Sequence, residues 1–274
     1  AAVSAAARAN TALARVGGGA LLLFRVAQAQ VTSLIAYVGE LVLLANRTVQ
    51  HILRGEVTRR EAFQQMAVIG VGSLGLVTIT VGFSGMVFGV YGVQQFKAFG
   101  ASNLLGAVTA MSMTREVGPV LTATVVAARS GSAIAAELAT MKNTEQLDAL
   151  RALATDPIEY LAVPRYIALV LMLPLLALVA MAAGTWGGGL VAYFNGITWR
   201  EYFGQIPERV PLDFVVNGCI KAMIFGALIA VSSLRQGFRA GLGSESVGRA
   251  TTEAVVLNII WIHFANLLLA MVTE

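Results

Sequence analysis

Five long apolar stretches constrain the fold of this 274-residue chain more than any other feature. They cover residues 66–92, 103–136, 160–193, 214–234 and 250–271. Each has at least the roughly 20 residues that an α-helix needs to cross the hydrocarbon core of a bilayer. Because a backbone in lipid must satisfy its own hydrogen bonds, runs of this kind predict membrane-spanning helices. We expect an all-α integral membrane protein with five transmembrane helices.

The composition supports this class and excludes others. Hydrophobic residues make up 57% of the chain and charged residues only 12%, whereas a soluble domain has about 25% charged residues. The net charge of +4 is too small to indicate nucleic-acid binding. The single cysteine, Cys219, excludes an internal disulfide and a cysteine-cluster metal site. There is no HExxH motif either, so we expect no metal site and no cofactor in this chain.

The N-terminal region, residues 1–65, differs from the transmembrane domain, residues 66–274. Residues 21–53 are apolar but are interrupted by charged and amide side chains, and the longest uninterrupted run covers only residues 31–39. That run is too short to span a bilayer. We interpret the region as an amphipathic helix that lies in the membrane interface. A poor first transmembrane helix is the alternative.

A charged residue inside an apolar stretch costs roughly 3 kcal/mol unless it faces protein or water, and three such residues are candidates for a site. Arg115 and Glu116 lie in the second stretch, directly before the helix-loosening pair Gly118-Pro119, and Lys221 lies in the fourth. The second and fourth spans run in the same direction across the membrane, and the depths of the three residues along these spans allow the side chains to meet. We expect a substrate cavity in which both cations attract an anionic headgroup and Glu116 balances them. The alternative is an ion pair that only holds helices together.

Gly85 and Gly89 form a GxxxG pattern in the first stretch, which lets two helix backbones approach closely. The pattern fits packing inside one subunit and a seam between two copies equally well.

The Lys and Arg residues predict the orientation. Thirteen of the 19 lie before residue 66 or in the connections that follow the second and fourth stretches, and the positive-inside rule places these regions in the cytoplasm. The N-terminus is then cytoplasmic and the C-terminus lies outside. A short amphipathic helix, expected over residues 142–153, falls on the cytoplasmic side between spans two and three.

Several motifs, in the same order and at similar spacing, resemble those of the MlaE (YrbE) permeases of MCE-type lipid ABC transporters. The resemblance covers roughly residue 19 to the C-terminus. The motifs are Arg115-Glu116-Val117-Gly118-Pro119, Arg129-Ser130-Gly131-Ser132-Ala133, Ala136-Glu137, Glu145-Gln146-Leu147-Asp148-Ala149-Leu150, Asp156-Pro157, Pro164-Arg165 and Gly248-Arg249-Ala250-Thr251-Thr252.

The resemblance implies a transport subunit rather than an enzyme. It implies that Glu145, Gln146, Leu147, Asp148 and Leu150 belong to a coupling helix docked on a separate ATPase subunit, which would bind ATP and Mg²⁺; no P-loop occurs in this chain. It also implies a second copy of the chain, an MCE-domain partner and lipid, typically phospholipid, as cargo. The location implied is the bacterial inner membrane, with a periplasmic C-terminus, or alternatively the plastid inner envelope.

Two other functions are compatible with the residues. An ion-coupled secondary transporter would use Arg115, Glu116 and Lys221 as a relay. A rhomboid-type intramembrane serine protease would use Ser84 of the GxSG motif at residues 82–85 together with His263.

Overall fold

The computed structural model describes residues 28, 32–33 and 35–273, and these residues contain helices and no strand. The chain divides into two compact units, Ala1–Asn46 and Arg47–Glu274. The helix α1 comprises residues 35–53. The interfacial helix expected over residues 21–53 therefore lies in part outside the described residues.

Five helices of the second unit are long and apolar enough to cross a membrane, which confirms the predicted all-α membrane fold. They are α2 (Arg59–Ala98), α3 (Ser102–Asn143), α5 (Ile158–Phe194), α8 (Leu212–Arg239) and α9 (Ser244–Thr273). Three short helices connect them: α4 (Gln146–Ala152), α6 (Trp199–Gly204) and α7 (Ile206–Arg209). All five long helices extend beyond the apolar stretches, because their polar ends continue the helix past the hydrocarbon core.

Several long helices contain at least one wide π-turn. In such a turn, a backbone N–H group bonds to the carbonyl five residues earlier rather than four. These turns are Ala67–Val71 in α2, Met113–Val117 and Ala127–Gly131 in α3, and Ile158–Ala162 in α5. Such turns often mark functional positions in helices. The turn Met113–Val117 contains Arg115 and Glu116 and directly precedes Pro119, where the sequence predicts a disturbed helix.

Helices α2 and α5 pack against each other through glycines. A Cβ atom on Gly85 would lie 1.9 Å from the carbonyl oxygen of Gly184, and one on Gly89 would lie 2.8 Å from that of Gly188. Both contacts occur within one chain. The face of Gly85 and Gly89 is therefore in contact with α5, as expected for packing inside one subunit.

The short helix α6 closes the end of the bundle opposite to α4. The Thr198 hydroxyl accepts a hydrogen bond from the Glu201 amide, 3.3 Å away, and so caps the start of α6. Tyr202 is buried, and its hydroxyl donates to the Thr185 carbonyl at 3.1 Å. Burial raises the pKa of the Tyr202 phenol to about 12, so the phenol stays protonated and keeps its role as a donor at physiological pH.

The glycine contact between α2 and α5 predicts a strong effect of a single methyl group. The substitution Gly85→Ala should destabilise the fold by about 1–3 kcal/mol, because the Gly184 backbone cannot move away without shifting α5. The unfolding temperature of the purified protein in detergent measures this effect. Gly75→Ala on the same helix is the matched control, because no atom lies within 4 Å of its added Cβ. A Gly85→Ala variant that keeps its stability but no longer dimerises would instead assign this face of α2 to a contact between two copies of the chain.

Candidate functional site

The charged residues predicted to meet inside the membrane do lie together. The Lys221 ammonium of α8 forms an ion pair with the carboxylate Oε1 of Glu116 on α3. Lys221 is only 4% exposed, whereas the Glu116 side chain is 39% exposed. An ammonium group buried to this extent requires a partner, because an isolated charge in a low-dielectric interior is unstable.

Pro119 explains the second contact of Lys221. Proline has no N–H group and therefore cannot donate to the carbonyl of Arg115, four residues earlier in the helix. The Lys221 Nζ lies 3.2 Å from this Arg115 oxygen and donates to it. The wide turn at Met113–Val117 and the missing proline donor thus create an acceptor that the amine of another helix satisfies.

A third helix joins the same carboxylate. The side-chain amide of Asn266 on α9 donates to Glu116 Oε2 at 2.8 Å. Glu116 therefore links α3 to both α8 and α9. Asn266 is not among the predicted site residues, although an amide inside an apolar span is itself a signal, because such a group needs a hydrogen-bond partner in lipid.

Two cavities flank the ion pair, and they differ in size and lining. A groove of about 450 Å³ opens on one side. Glu116 and Asn266 line it, together with mostly apolar residues of α2 and α3. The lining comprises Ser84, Val87, Phe88, Glu116, Val117, Val120, Leu121 and Asn266. A niche of only about 20 Å³ lies on the other side, between α3 and α8.

Arg115 and Lys221 line the small niche rather than the groove. The niche also contains Phe214 and Asn217, and the Arg115 guanidinium carbon lies 4.9 Å from the centre of the Phe214 ring. This distance allows a cation–π interaction. Glu116 is thus the one charged residue of the predicted trio that reaches the large groove.

The predicted coupling segment is not one continuous helix. Helix α3 continues to Asn143, and α4 begins only at Gln146 after a turn in which Glu145 adopts a left-handed backbone conformation with φ of 57°. Lys142 therefore belongs to the last turn of α3, where its amine donates to the Phe238 carbonyl at 3.0 Å. The expectation of a single helix over residues 142–153 is therefore wrong, and the sequence carries no proline or glycine that would mark this break.

The residues of the coupling segment divide into an outward and an inward set. Glu145, Gln146 and Asp148 are exposed, Leu147 is buried and Leu150 is half-buried. Asp148 pairs with Arg151 at 2.7 Å, and both side chains remain largely exposed. The segment therefore presents a polar surface while Leu147 anchors it to the bundle.

Contacts made by residues on either side of α4 hold it at the end of the bundle. Arg165 at the start of α5 pairs with Glu137 at the end of α3 at 2.8 Å, and it donates to the Leu161 carbonyl at 2.7 Å. The Asn143 side chain exchanges two hydrogen bonds with the backbone of Gly243, at 3.1 and 2.9 Å. These contacts tie both flanks of α4 to the spans α3, α5 and α9.

The residues proposed for a serine protease do not form a catalytic pair. The Ser84 hydroxyl donates to the Thr80 carbonyl of its own helix at 3.0 Å. The His263 ring nitrogen Nδ1 lies 2.9 Å from the Ile259 carbonyl, also within one helix. Among the described residues no hydrogen bond joins Ser84 to His263.

Comparison with known proteins agrees with the fold and the motifs. The sequence profile of the family described as Permease MlaE matches residues 62–272. The chain belongs to the MlaE permease family. It is therefore a permease subunit of an ABC transporter, which overturns the secondary-transporter and protease alternatives.

Three relatives illustrate the range of the family. A probable ABC transporter permease protein of Synechocystis is 40% identical over 83% of this chain and 87% of its own length. The intermembrane phospholipid transport system permease protein MlaE of Haemophilus influenzae is 37% identical over 70% of this chain and 75% of its own. The chloroplastic protein TRIGALACTOSYLDIACYLGLYCEROL 1 of Arabidopsis thaliana is 38% identical over 83% of this chain and 65% of its own.

The ion pair of this MlaE permease predicts an asymmetric response to mutation. Lys221→Met should destabilise the protein by about 3 kcal/mol, because Glu116 is left without its cation in a largely apolar site. Removing both charges, as Glu116→Gln with Lys221→Met, should recover most of that loss. Thermal unfolding in detergent measures both effects. Arg249→Met is the control: it breaks the exposed pair with Glu253 and should change stability by less than about 1 kcal/mol. Equal effects of Lys221→Met and Arg249→Met would contradict this account.

Proposed function

We propose that this chain is the membrane subunit of an ATP-driven lipid transporter, which moves phospholipid between the inner membrane and an MCE-domain partner. The observation that carries the proposal is the groove between α2, α3 and α9, with its apolar walls and the single carboxylate of Glu116. A phospholipid needs such a combination, since its acyl chains require an apolar surface and its headgroup requires a polar one. The name of the Haemophilus influenzae relative supports phospholipid as the cargo.

The geometry changes the predicted contact with the headgroup. Lys221 is buried, and its amine is engaged by Glu116 and by the Arg115 carbonyl. We therefore assign the headgroup contact to Glu116, whose carboxylate reaches the groove and would attract a cationic headgroup amine. Lys221 holds Glu116 and the wide turn of α3 in position from the opposite side, where the Arg115 guanidinium lies over the Phe214 ring.

A second copy of the chain is part of the proposal. A volume of about 450 Å³ lies at the low end of the range for sites that hold drug-sized ligands, about 300–1,000 Å³. A two-chained lipid is larger than such ligands. The groove would therefore form one half of a path that the partner copy completes.

ATP hydrolysis would take place in a separate ATPase subunit that docks on α4. The exposed Glu145, Gln146 and Asp148 provide a polar docking surface, and the fixed flanks of α4 would transmit motion into α3 and α5. The positive-inside rule places this end in the cytoplasm. It follows that the N-terminus is cytoplasmic and the C-terminus periplasmic in a bacterial inner membrane.

Exchanging the charges of the ion pair separates transport from folding. The double variant Glu116→Lys with Lys221→Glu should retain most of its unfolding temperature, because an ion pair can form in reverse. It should lose most lipid transfer, because a cation now faces the groove. Transfer of labelled phospholipid from proteoliposomes containing the full complex measures this. Normal transfer by the stable exchanged variant would show that the pair is only structural.

Reversing the charge of the α4 surface tests the coupling role. The double variant Glu145→Lys with Asp148→Lys should insert and fold normally, since both side chains are exposed, yet lose stimulation of ATP hydrolysis and lipid transfer. Co-purification of the ATPase subunit and its ATPase rate measure the effect. Glu208→Lys on α7, at the opposite end of the bundle, is the control and should leave both unchanged. Full ATPase stimulation in the α4 variant would contradict the assignment.

A further inference from the structure

Four potential metal ligands meet at the same end of the bundle as α4, away from the groove. His51 lies at the end of α1 and Glu56 in the segment after it, whereas Asp156 lies just before α5 and Glu159 in its first turn. Ligand atoms of His51, Glu56 and Glu159 all lie within 4.8 Å of one another. All four residues belong to the second compact unit.

The imidazole of His51 faces a carboxylate with each of its ring nitrogens. Its Nδ1 lies 2.6 Å from Glu56 Oε2, and its Nε2 lies 3.4 Å from Asp156 Oδ2. The other oxygen of Asp156 accepts from the Ile158 amide at 2.9 Å, which fixes this carboxylate at the start of α5. The contact of Nδ1 with Glu56 is short enough to require a proton between the two atoms. A cation bound at Nδ1 would replace this proton, and Asp156 would then accept from the N–H group at Nε2.

The cluster carries more negative charge than the protein balances. Three carboxylates surround one imidazole, and within the described residues none of the three forms an ion pair with a lysine or arginine. The Glu159 carboxylate makes neither a hydrogen bond nor an ion pair in this part of the chain. One imidazole nitrogen and two carboxylates lie within reach of a common point, and a cation at that point would replace the proton on Nδ1 and balance the excess negative charge.

We propose that His51, Glu56 and Glu159 bind a divalent transition-metal ion, and that Asp156 orients the imidazole from behind. Carboxylates alone would suit Mg²⁺ or Ca²⁺, but an imidazole nitrogen in the set favours a borderline metal such as Zn²⁺. A carboxylate on the distal nitrogen is the usual second partner of a metal-binding histidine. Zn²⁺ bonds of about 2.0–2.2 Å require the ligand atoms to lie roughly 3.4 Å apart. Small side-chain rotations would bring them to that spacing.

The consequence of metal binding is a link between two separate parts of the chain. The ion would join the segment after α1 to the start of α5, close to the end of α4. The site is chemically independent of lipid binding, so the proposal stands or fails without reference to the proposed transport function.

Isothermal titration calorimetry with Zn²⁺, on the full chain in detergent at neutral pH, tests the site. The wild type should bind one Zn²⁺ per chain, and Mg²⁺ at the same concentration should give no signal. Glu159→Gln should weaken Zn²⁺ binding by at least about tenfold, and Asp156→Asn by roughly 10–100-fold through loss of orientation. Glu208→Gln removes a distant exposed carboxylate and should bind Zn²⁺ as the wild type does.

Glu159→Gln also distinguishes a metal site from a simpler ion-pair clamp. A protonated His51 could bridge Glu56 and Asp156 without any metal, and Glu159 takes no part in those two contacts. Loss of Zn²⁺ binding in Glu159→Gln, with an unfolding temperature in chelator equal to that of the wild type, supports the metal site. Absence of Zn²⁺ binding to the wild type, or equal binding by Glu159→Gln, would overturn it. The unfolding temperature in chelator confirms that each variant is folded.

Discussion

The ion pair between Glu116 and Lys221 is the interaction on which the arrangement of the membrane helices most depends. It unites α3 and α8 directly, and through the Asn266 amide it also holds α9. Burying charges is costly, and apolar packing of the same volume is often at least as stable as a buried pair. The pair therefore fixes how these helices are positioned along one another in the membrane. It also leaves the carboxylate of Glu116 at the edge of the groove.

The backbone irregularity of α3 belongs to the same arrangement. Pro119 removes a hydrogen bond that the Arg115 carbonyl would otherwise receive, and the wide turn Met113–Val117 adjusts the helix around that gap. Lys221 satisfies the carbonyl and the carboxylate with one amine. Proline, π-turn and lysine thus form one structural unit, although they occur in different spans.

Helix α2 packs closely against α5 through one part of its surface and lines the groove with another. Glycines let α2 and α5 approach to backbone contact, which fixes α2 against α5 over several turns. The opposite side of α2, with Ser84, Val87 and Phe88, then lines the groove with α3 and α9. At the end of the bundle, Arg165 and Asn143 hold α4 to the same spans. Motion at α4 would therefore reach α3, which carries Glu116, through rigid contacts.

The sequence by itself determined the class of the protein, the number of spans and the charged residues that meet within them. These follow from the cost of exposing polar groups to lipid, which leaves long apolar runs and allows charges only in partnership. The tertiary structure alone decided which face each residue occupies. It placed Gly85 and Gly89 against α5, directed Glu116 rather than Lys221 toward the groove, and brought His51 to Asp156 and Glu159. Apolar periodicity does not encode these choices, because they depend on how helices distant in sequence rotate and cross when their side chains pack.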